Sequence, residues 1–579
     1  MRGVLIPGYK DLYGESVLGY DELLKNTSSD TVIMLLISLN AELNTEEVYS
    51  ENQARLFEAV TLRFSAEQLL LLKGNIASYM KVFAEYDGTL FSRRYLLSMI
   101  LKELKRNNKT SVDTDAAIHE YNFLLGYLLM VDEVNENDHK LLDIAKKYDL
   151  HIMPTMPLIW AMCINQYEFN DMVNPAFEIF KLLSFCKYSY DNHKKYLKEY
   201  INKYGFKSIS NFLASSHQVV KSTMVYQESE FLRKLYFIVP KEGVEHTHLT
   251  SQSINTIRDN HQFTIDDLRR LPLYETQKRG FMVVDEDMYK KKIYRGPLFG
   301  LNKETSMCEE IIFDNYKNEI SKKCFEEILF RGIVRQLGNK ENSIFHIDCN
   351  SDKGEPDLYY RNGNDIFLIE FKDYLFPDAI IKGTSFGAYK NYIHERFLTS
   401  DKGKRKGVSQ LANCISNILN KKYDFDDVLN EKINRGERME IHSIICHTDF
   451  MFSMPGLNEY LNCLFLKQIK EQSCTYAGIN SITIVNLETL FDLALRGGDF
   501  KKLLTFIKAY FQKIENLRKV ASFSLSTDDY VPSTTSFDEM YNIYFRNEMI
   551  DKGELTDKVR VKKMTDIIGI KQEQIDEIL

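Results

Sequence analysis

The sequence predicts a multidomain chain with an all-α N-terminal region, a small α+β linker module, an α/β core in the C-terminal half and a helical tail. Three observations predict it. Through residues 1–245, apolar side chains recur three and four positions apart, the period of amphipathic helices. Across 308–520, helical stretches alternate with short apolar runs bounded by Gly, Asn and Asp, which read as strands. In 521–579 a polar linker, Ser522–Ser536 with Pro532, precedes a charged helical tail suited to docking.

The N-terminal helices are placed by spacing. Arg55–Phe64, Ala66–Lys73, Tyr79–Phe83, Tyr95–Lys105 and Ala116–Met130 carry the pattern. Pro154, Pro157 and Pro175 then break the chain into shorter helical pieces such as Phe177–Ser184 and Tyr196–Tyr204. An interaction or regulatory role, with a second copy or a partner protein, is expected of this region. Residues 246–307 change character: Leu271-Pro272-Leu273, Gly280–Asp285 and Tyr294–Leu301 suggest a small strand-containing module.

Composition sets the bounds. A chain of 579 residues has room for about three domains with real cores. Apolar content of 44% and charged content of 27% describe an ordinary soluble protein. Nine cysteines without a C-x-x-C pair argue for a reducing compartment and against a disulfide framework or zinc ribbon. The apolar runs Val32–Leu39 and Phe123–Val131 fall short of a membrane span, and Met1–Tyr9 lacks the layout of a signal peptide. A cytoplasmic protein with no membrane contact is expected. The net charge of -8 requires that any nucleic-acid contact come from a local basic patch or from a partner.

Within the core, Ser321–Gly338 reads as an amphipathic helix with Phe325, Leu329, Phe330, Ile333 and Leu337 on its stripe, and Glu326 points partly into that stripe. Ser343–Cys349 reads as the first strand. Next comes Gly354–Phe376, where the runs Asp357–Arg361 and Ile366–Leu375 flank Asn362-Gly363-Asn364-Asp365, a cluster of hairpin turn formers. Side chains two apart on a strand share a face, so Glu370 and Lys372 stand side by side at the end of a run apolar enough for a central strand. Pairing across the turn brings Asp357 near Glu370. Carboxylates and an amine placed there are costly unless they pair or bind something. Two carboxylates suit a hard divalent cation, and the ammonium suits a water or a phosphate oxygen.

Pro377–Gly407 reads as a long, partly helical excursion. Its basic residues Lys382, Lys390, Arg396, Lys402, Lys404, Arg405 and Lys406 outnumber its acidic Asp378, Glu395 and Asp401, and Tyr389, Tyr392 and Phe397 are interleaved with them. That is the composition of a phosphate-tracking strip, with a solvated charged loop as the alternative. Gly407–Leu419 is the following helix, with Gln410 near its start. Strands at Met439–His447 and Ser481–Asn486 and a helix at Leu487–Leu495 complete the pattern.

Pro356-Asp357, twelve residues, then Glu370-Phe371-Lys372 closely resembles the signature of the PD-(D/E)XK nuclease superfamily. The order helix, strand, Asp strand, Glu-x-Lys strand, helix, strand, strand, helix over roughly Cys308–Phe511 is similar to the core of that superfamily. The resemblance implies a restriction-endonuclease-like fold for 308–520 and a nuclease that uses Mg²⁺ or Mn²⁺. It implies phosphodiester hydrolysis in DNA before RNA, and a role in bacterial anti-phage defence or restriction. Asp357, Glu370 and the Phe371 carbonyl would be metal ligands, and Glu326 would complete the metal site. Lys372 would orient water or stabilise transition-state charge, and Gln410 would hold the nucleophile or an adjacent phosphate. Lys390, Arg396, Lys402, Lys404, Arg405 and Lys406 would track nucleic acid. The Q-x-x-x-Y branch is not matched, because Cys414 stands where its tyrosine belongs.

A competing class is a non-catalytic nucleic-acid-binding or scaffold subunit built on the same domain. Gly383–Lys390 does not match G-x-x-x-x-G-K-[ST], so any ATPase would be a separate chain.

Overall fold

The hairpin of β5 (Leu358–Asn362) and β6 (Asp365–Lys372) stands at the centre of the C-terminal half. Gly363, at φ +61°, opens its two-residue turn in the left-handed region that glycine enters without cost. These elements belong to a computed structural model that describes residues 6–569 apart from 16–17, 44–48, 84–88, 111–115, 171–172, 212–236, 239–247, 258–260, 277–279, 339–342, 348–353, 471–476, 524–530 and 547–556.

The described chain is mainly helical, with a mixed sheet in its C-terminal half. That sheet runs β4 (Ser343–His346), β5, β6, β7 (Met439–His447) and β8 (Ala477–Ile479), and β9 (Thr483–Asn486) also pairs with β7. The first three strands are antiparallel and the rest parallel. β8 pairs with the start of β7 and β9 with its end, so they succeed one another along one edge. The sequence placed β7 and β9 but not the three-residue β8, which is too short to alternate visibly.

Both faces of β6 are covered, as its nearly unbroken apolar run requires. Ile366 and Leu368 join a core with helices Phe386–Phe397, Gly407–Leu419 and Leu457–Ile469. Phe367, Ile369 and Phe371 meet Arg331–Leu337, Leu487–Leu495 and Phe500–Phe523. A buried ion pair ties the hairpin to the β6–β7 crossover. Arg361 donates to Asp426 from Nε at 2.6 Å and from Nη2 at 2.8 Å, and the Tyr359 hydroxyl adds a bond of 2.6 Å.

The helix before β4 departs from the expected one. It begins at Phe313, and its middle, Ser321–Phe330, is wound as a π-helix before Arg331–Leu337 resumes the α form. π segments cluster at functional sites, and Glu326 lies inside this one.

Smaller strands β1 (Phe237–Ile238), β2 (Leu273–Glu275) and β3 (Phe281–Val283) form a separate sheet in the order β1-β3-β2. Tyr294–Leu301, expected in the strand-containing module, lies in helix Glu286–Lys303 despite Pro297.

The cores do not follow boundaries at 245 and 307. Residues between Ile6 and Val134 pack with Ile254–Met288, while Met156, Ile159 and Trp160 join one face of the large sheet and Phe177 and Phe180 the other. Periodicity shows that a stretch is helical; it does not say which partner the apolar stripe meets. Ser533–Ser536, expected to be a linker, is buried. Phe537 beside it is 0% exposed, and Asp538 accepts from the Asn486 N–H at 2.9 Å and from the Thr489 and Ser453 hydroxyls at 2.7 and 2.6 Å. No described helix is long and apolar enough to cross a membrane.

Candidate active site

Asp357 precedes β5, and Glu370 and Lys372 end β6. Leu358 faces Ile369 in the hairpin register, which sets Asp357 against Glu370 at the open end. Asp357 Oδ2 accepts the Phe371 N–H at 2.7 Å. Lys372 Nζ donates to Glu370 Oε2 at 2.8 Å and lies 3.8 Å from Asp357 Oδ2. Glu370 is 0% exposed, and its Oε1 meets no donor among the described residues. The three residues that the sequence grouped therefore form one cluster.

Its electrostatics are strained. Burial, and then the charge of Asp357, push the Glu370 carboxyl up to about 8, against the pull of Lys372. Burial lowers Lys372, yet Glu370 and Asp357 together hold its ammonium above the ordinary lysine range. The cluster thus holds more protons than a plain ion pair would.

Glu326 lies close enough for Asp357 to act on it: burial first, and then Asp357, raise its carboxyl, with Arg331 opposing. Its Oε1 leans to Arg331 Nη2 at 3.5 Å. Glu326 thus lies between the pull of Arg331 and the charge of Asp357, and among the described residues no three His, Cys, Asp or Glu side chains stand together as metal ligands.

The donor set nevertheless fits a hard divalent cation in kind. Asp357 and Glu370 supply carboxylate oxygens, and Glu370 Oε1 is a buried acceptor with nothing to accept. The ammonium of Lys372 holds the positive position between them. Phe371 turns its ring to the opposite face and stacks on Phe330 at 4.9 Å, which joins the strand end to the π segment carrying Glu326.

Gln410 is engaged at the start of its own helix. Its side-chain carbonyl accepts the Gly407 N–H at 2.9 Å, so it caps its own helix and makes no bond to the carboxylates.

The basic excursion separates into parts. Phe386–Phe397 is a helix, and Tyr389, Tyr392 and Phe397 are buried in the core, so they offer no face for bases to stack on. Lys390 is half-buried on that helix, while Lys402, Lys404 and Arg405 lie exposed on the loop after it. Arg405 donates to Asn413. Arg396 and Lys406 are half-buried and belong to the surroundings of Lys372.

Sequence reading missed Tyr374, which stands two residues beyond Lys372 and lies 5.2 Å under the Arg396 guanidinium. The two-residue period of a strand was the available signal.

Comparison of the chain with family models, curated proteins and solved structures returns no match.

Proposed function

We propose that the chain is a metal-dependent nuclease of the PD-(D/E)XK kind, hydrolysing phosphodiester bonds, in DNA before RNA, in a defence or restriction setting. One observation carries the reading. Glu370 is a fully buried carboxylate beside Asp357, with one oxygen on Lys372 and the other without a donor. A buried carboxyl with one oxygen lacking a hydrogen-bond partner carries a desolvation cost whether it ionises or takes up a proton, so this arrangement beside a second acid is an expensive one for structure alone.

Asp357 and Glu370, with the Phe371 carbonyl, would hold Mg²⁺ or Mn²⁺, which supplies Lewis-acid polarisation of a phosphate oxygen and neutralises its charge. The remaining work falls to the chain. The Phe371 N–H holds the Asp357 carboxylate in place. Lys372, released from part of its load on Glu370, presents its ammonium to the phosphate as negative charge builds there. The Glu326 carboxyl, within electrostatic reach of Asp357, would take the proton from the attacking water and pass it to the leaving oxygen. Water attacks phosphorus, one P–O bond breaks, and a phosphate monoester and a free hydroxyl result.

The absence of a third converging acid among the described residues favours a second reading, a nucleic-acid-holding subunit without catalysis. One experiment separates the two: incubation of plasmid and linear DNA with the purified protein in Mg²⁺, Mn²⁺ or EDTA, beside Lys372→Ala. Metal-dependent cutting that disappears in the variant supports hydrolysis at this cluster. Cutting that survives in the variant sinks that site, and no cutting by the wild type under any condition favours the holding role.

A further inference from the structure

Arg396 is a guanidinium that stacks on two tyrosines. It projects from the last turn of Phe386–Phe397, with Cζ 5.2 Å from the Tyr374 ring centre and 5.3 Å from that of Tyr392. Its Nε is buried and meets no acceptor. No described carboxylate stands within ion-pair distance of it. Stacking on tyrosine offsets only part of the cost of dehydrating a cation. The planar fork of guanidinium N–H donors suits a planar or tetrahedral oxyanion.

Lys406 is brought to the same place by the backbone. Its N–H donates to the Leu398 carbonyl at 2.8 Å, and the Ser400 N–H donates to the Lys404 carbonyl at 2.9 Å. The loop after the Arg396 helix therefore closes on itself and returns Lys406 beside that helix end. Burial, and then the charges of Lys372, Lys404 and Arg396, hold the Lys406 ammonium below the ordinary lysine range, with Glu370 opposing. Lys406 too has no described carboxylate partner. Lys372, by contrast, is committed to Glu370 and Asp357. The face beside the carboxylates thus carries two positive groups that nothing in the described chain neutralises.

We propose that Arg396 and Lys406 form a phosphate subsite beside Asp357, Glu370 and Lys372, taking a backbone phosphate of a polynucleotide strand next to the one that reacts. The occupant is a strand with successive phosphates because positive charge continues outward from Lys406 through exposed Arg405, Lys404 and Lys402. A lone phosphate or a mononucleotide would leave that trail unused. Its place beside the reacting phosphate rests on the hydrolytic reading; its capacity to bind does not.

The test measures binding without turnover. Full-length protein in EDTA is titrated into a short fluorescein-labelled oligonucleotide, single- or double-stranded, and anisotropy is followed over a range of KCl. Arg396→Gln and Lys406→Gln are each expected to weaken binding about tenfold and to lower the slope of log affinity against log salt by about one. Arg396→Lys keeps the charge, so it should retain the slope while losing affinity. Thermal melting reports whether each variant folds; if Arg396→Gln does not, Lys406→Gln carries the test alone. Unchanged affinity and slope in folded Lys406→Gln overturn the subsite, as does displacement of the oligonucleotide by a mononucleotide of equal affinity. Weakened binding in a protein that never cuts DNA retains the subsite and removes the hydrolytic reading. Lys372-dependent cutting with unchanged binding in the variants does the reverse.

Discussion

Asp357 and Phe371 are joined across the end of the hairpin, the carboxylate accepting the peptide N–H at 2.7 Å. A side chain just outside one strand thereby takes a backbone donor of the next. The bond points one oxygen of Asp357 at β6 and holds the carboxyl against Glu370. Acid pairs repel, and this bond helps keep the two from drifting apart.

Asp357→Asn, Glu370→Gln and Lys372→Ala are expected to lower metal-dependent cleavage by at least about 10²-fold each, the usual cost of one group that stabilises transition-state charge. Their losses should not add, because the three act as a unit. Initial rates on labelled DNA, with circular dichroism to verify folding, check this. Near-wild-type rates in any folded single variant would place the chemistry elsewhere.

Addition of Mg²⁺ or Mn²⁺ should raise the melting temperature of the wild type, since a ligand that binds only the folded state stabilises it by mass action. Glu370→Gln should show a smaller rise or none, and EDTA should reverse the effect. Differential scanning fluorimetry across metal concentration reads it directly. Ca²⁺ serves as a second hard cation without relying on activity.

Asp426→Ala should be among the more damaging substitutions. It would strand the Arg361 guanidinium and the Tyr359 hydroxyl, all three groups being buried. Removing one partner of a buried pair costs about 3–5 kcal/mol. Urea denaturation should show the midpoint falling accordingly. Paired replacement of Arg361 and Asp426 by apolar residues of similar volume should cost less than the single change.

His248 predicts an acid-sensitive element. Burial, and then Lys292, lower its imidazole to about 4. The folded state therefore favours the neutral ring and binds fewer protons than the unfolded chain between pH about 6.5 and about 4. Its contribution is present above pH about 6.5 and is lost as pH falls through about 4, amounting to roughly 3 kcal/mol. Denaturant midpoints at pH 7.5 and pH 5 should differ less in His248→Gln than in the wild type. An equal pH dependence in the two proteins would remove His248 from the account.

The cluster at Glu370 was legible because strands have period two and Asn-Gly closes hairpins; local rules sufficed to bring Asp357, Glu370 and Lys372 together. What the sequence did not show are partners that spacing does not specify. Glu326 was placed on the correct helix, but π winding and Arg331 decide where its carboxyl goes. Gln410 was placed in the correct turn, but the open N–H of Gly407 claims its side chain. Tyr389, Tyr392 and Phe397 looked like stacking platforms because aromatic residues between charges read the same whether they face nucleic acid or a core. The domain boundaries suffered most: Trp160 and Phe180 lie twenty residues apart on helices of similar pattern, yet they cover opposite faces of one sheet.

Phe537 and Asp538 close the sheet from far along the chain, and this gives the molecule a timetable. Every described strand has been synthesised by Asn486, but the residues that seat against the sheet's end come about fifty positions later. At about 5–20 residues per second a ribosome needs roughly 3–10 s to deliver them. During that interval the apolar side of the newborn sheet that Phe537 covers has no lid, and the buried bonds of Ser453, Asn486 and Thr489 have no acceptor. The nascent chain is thus most exposed to aggregation and proteolysis late in synthesis, after its described strands are already made.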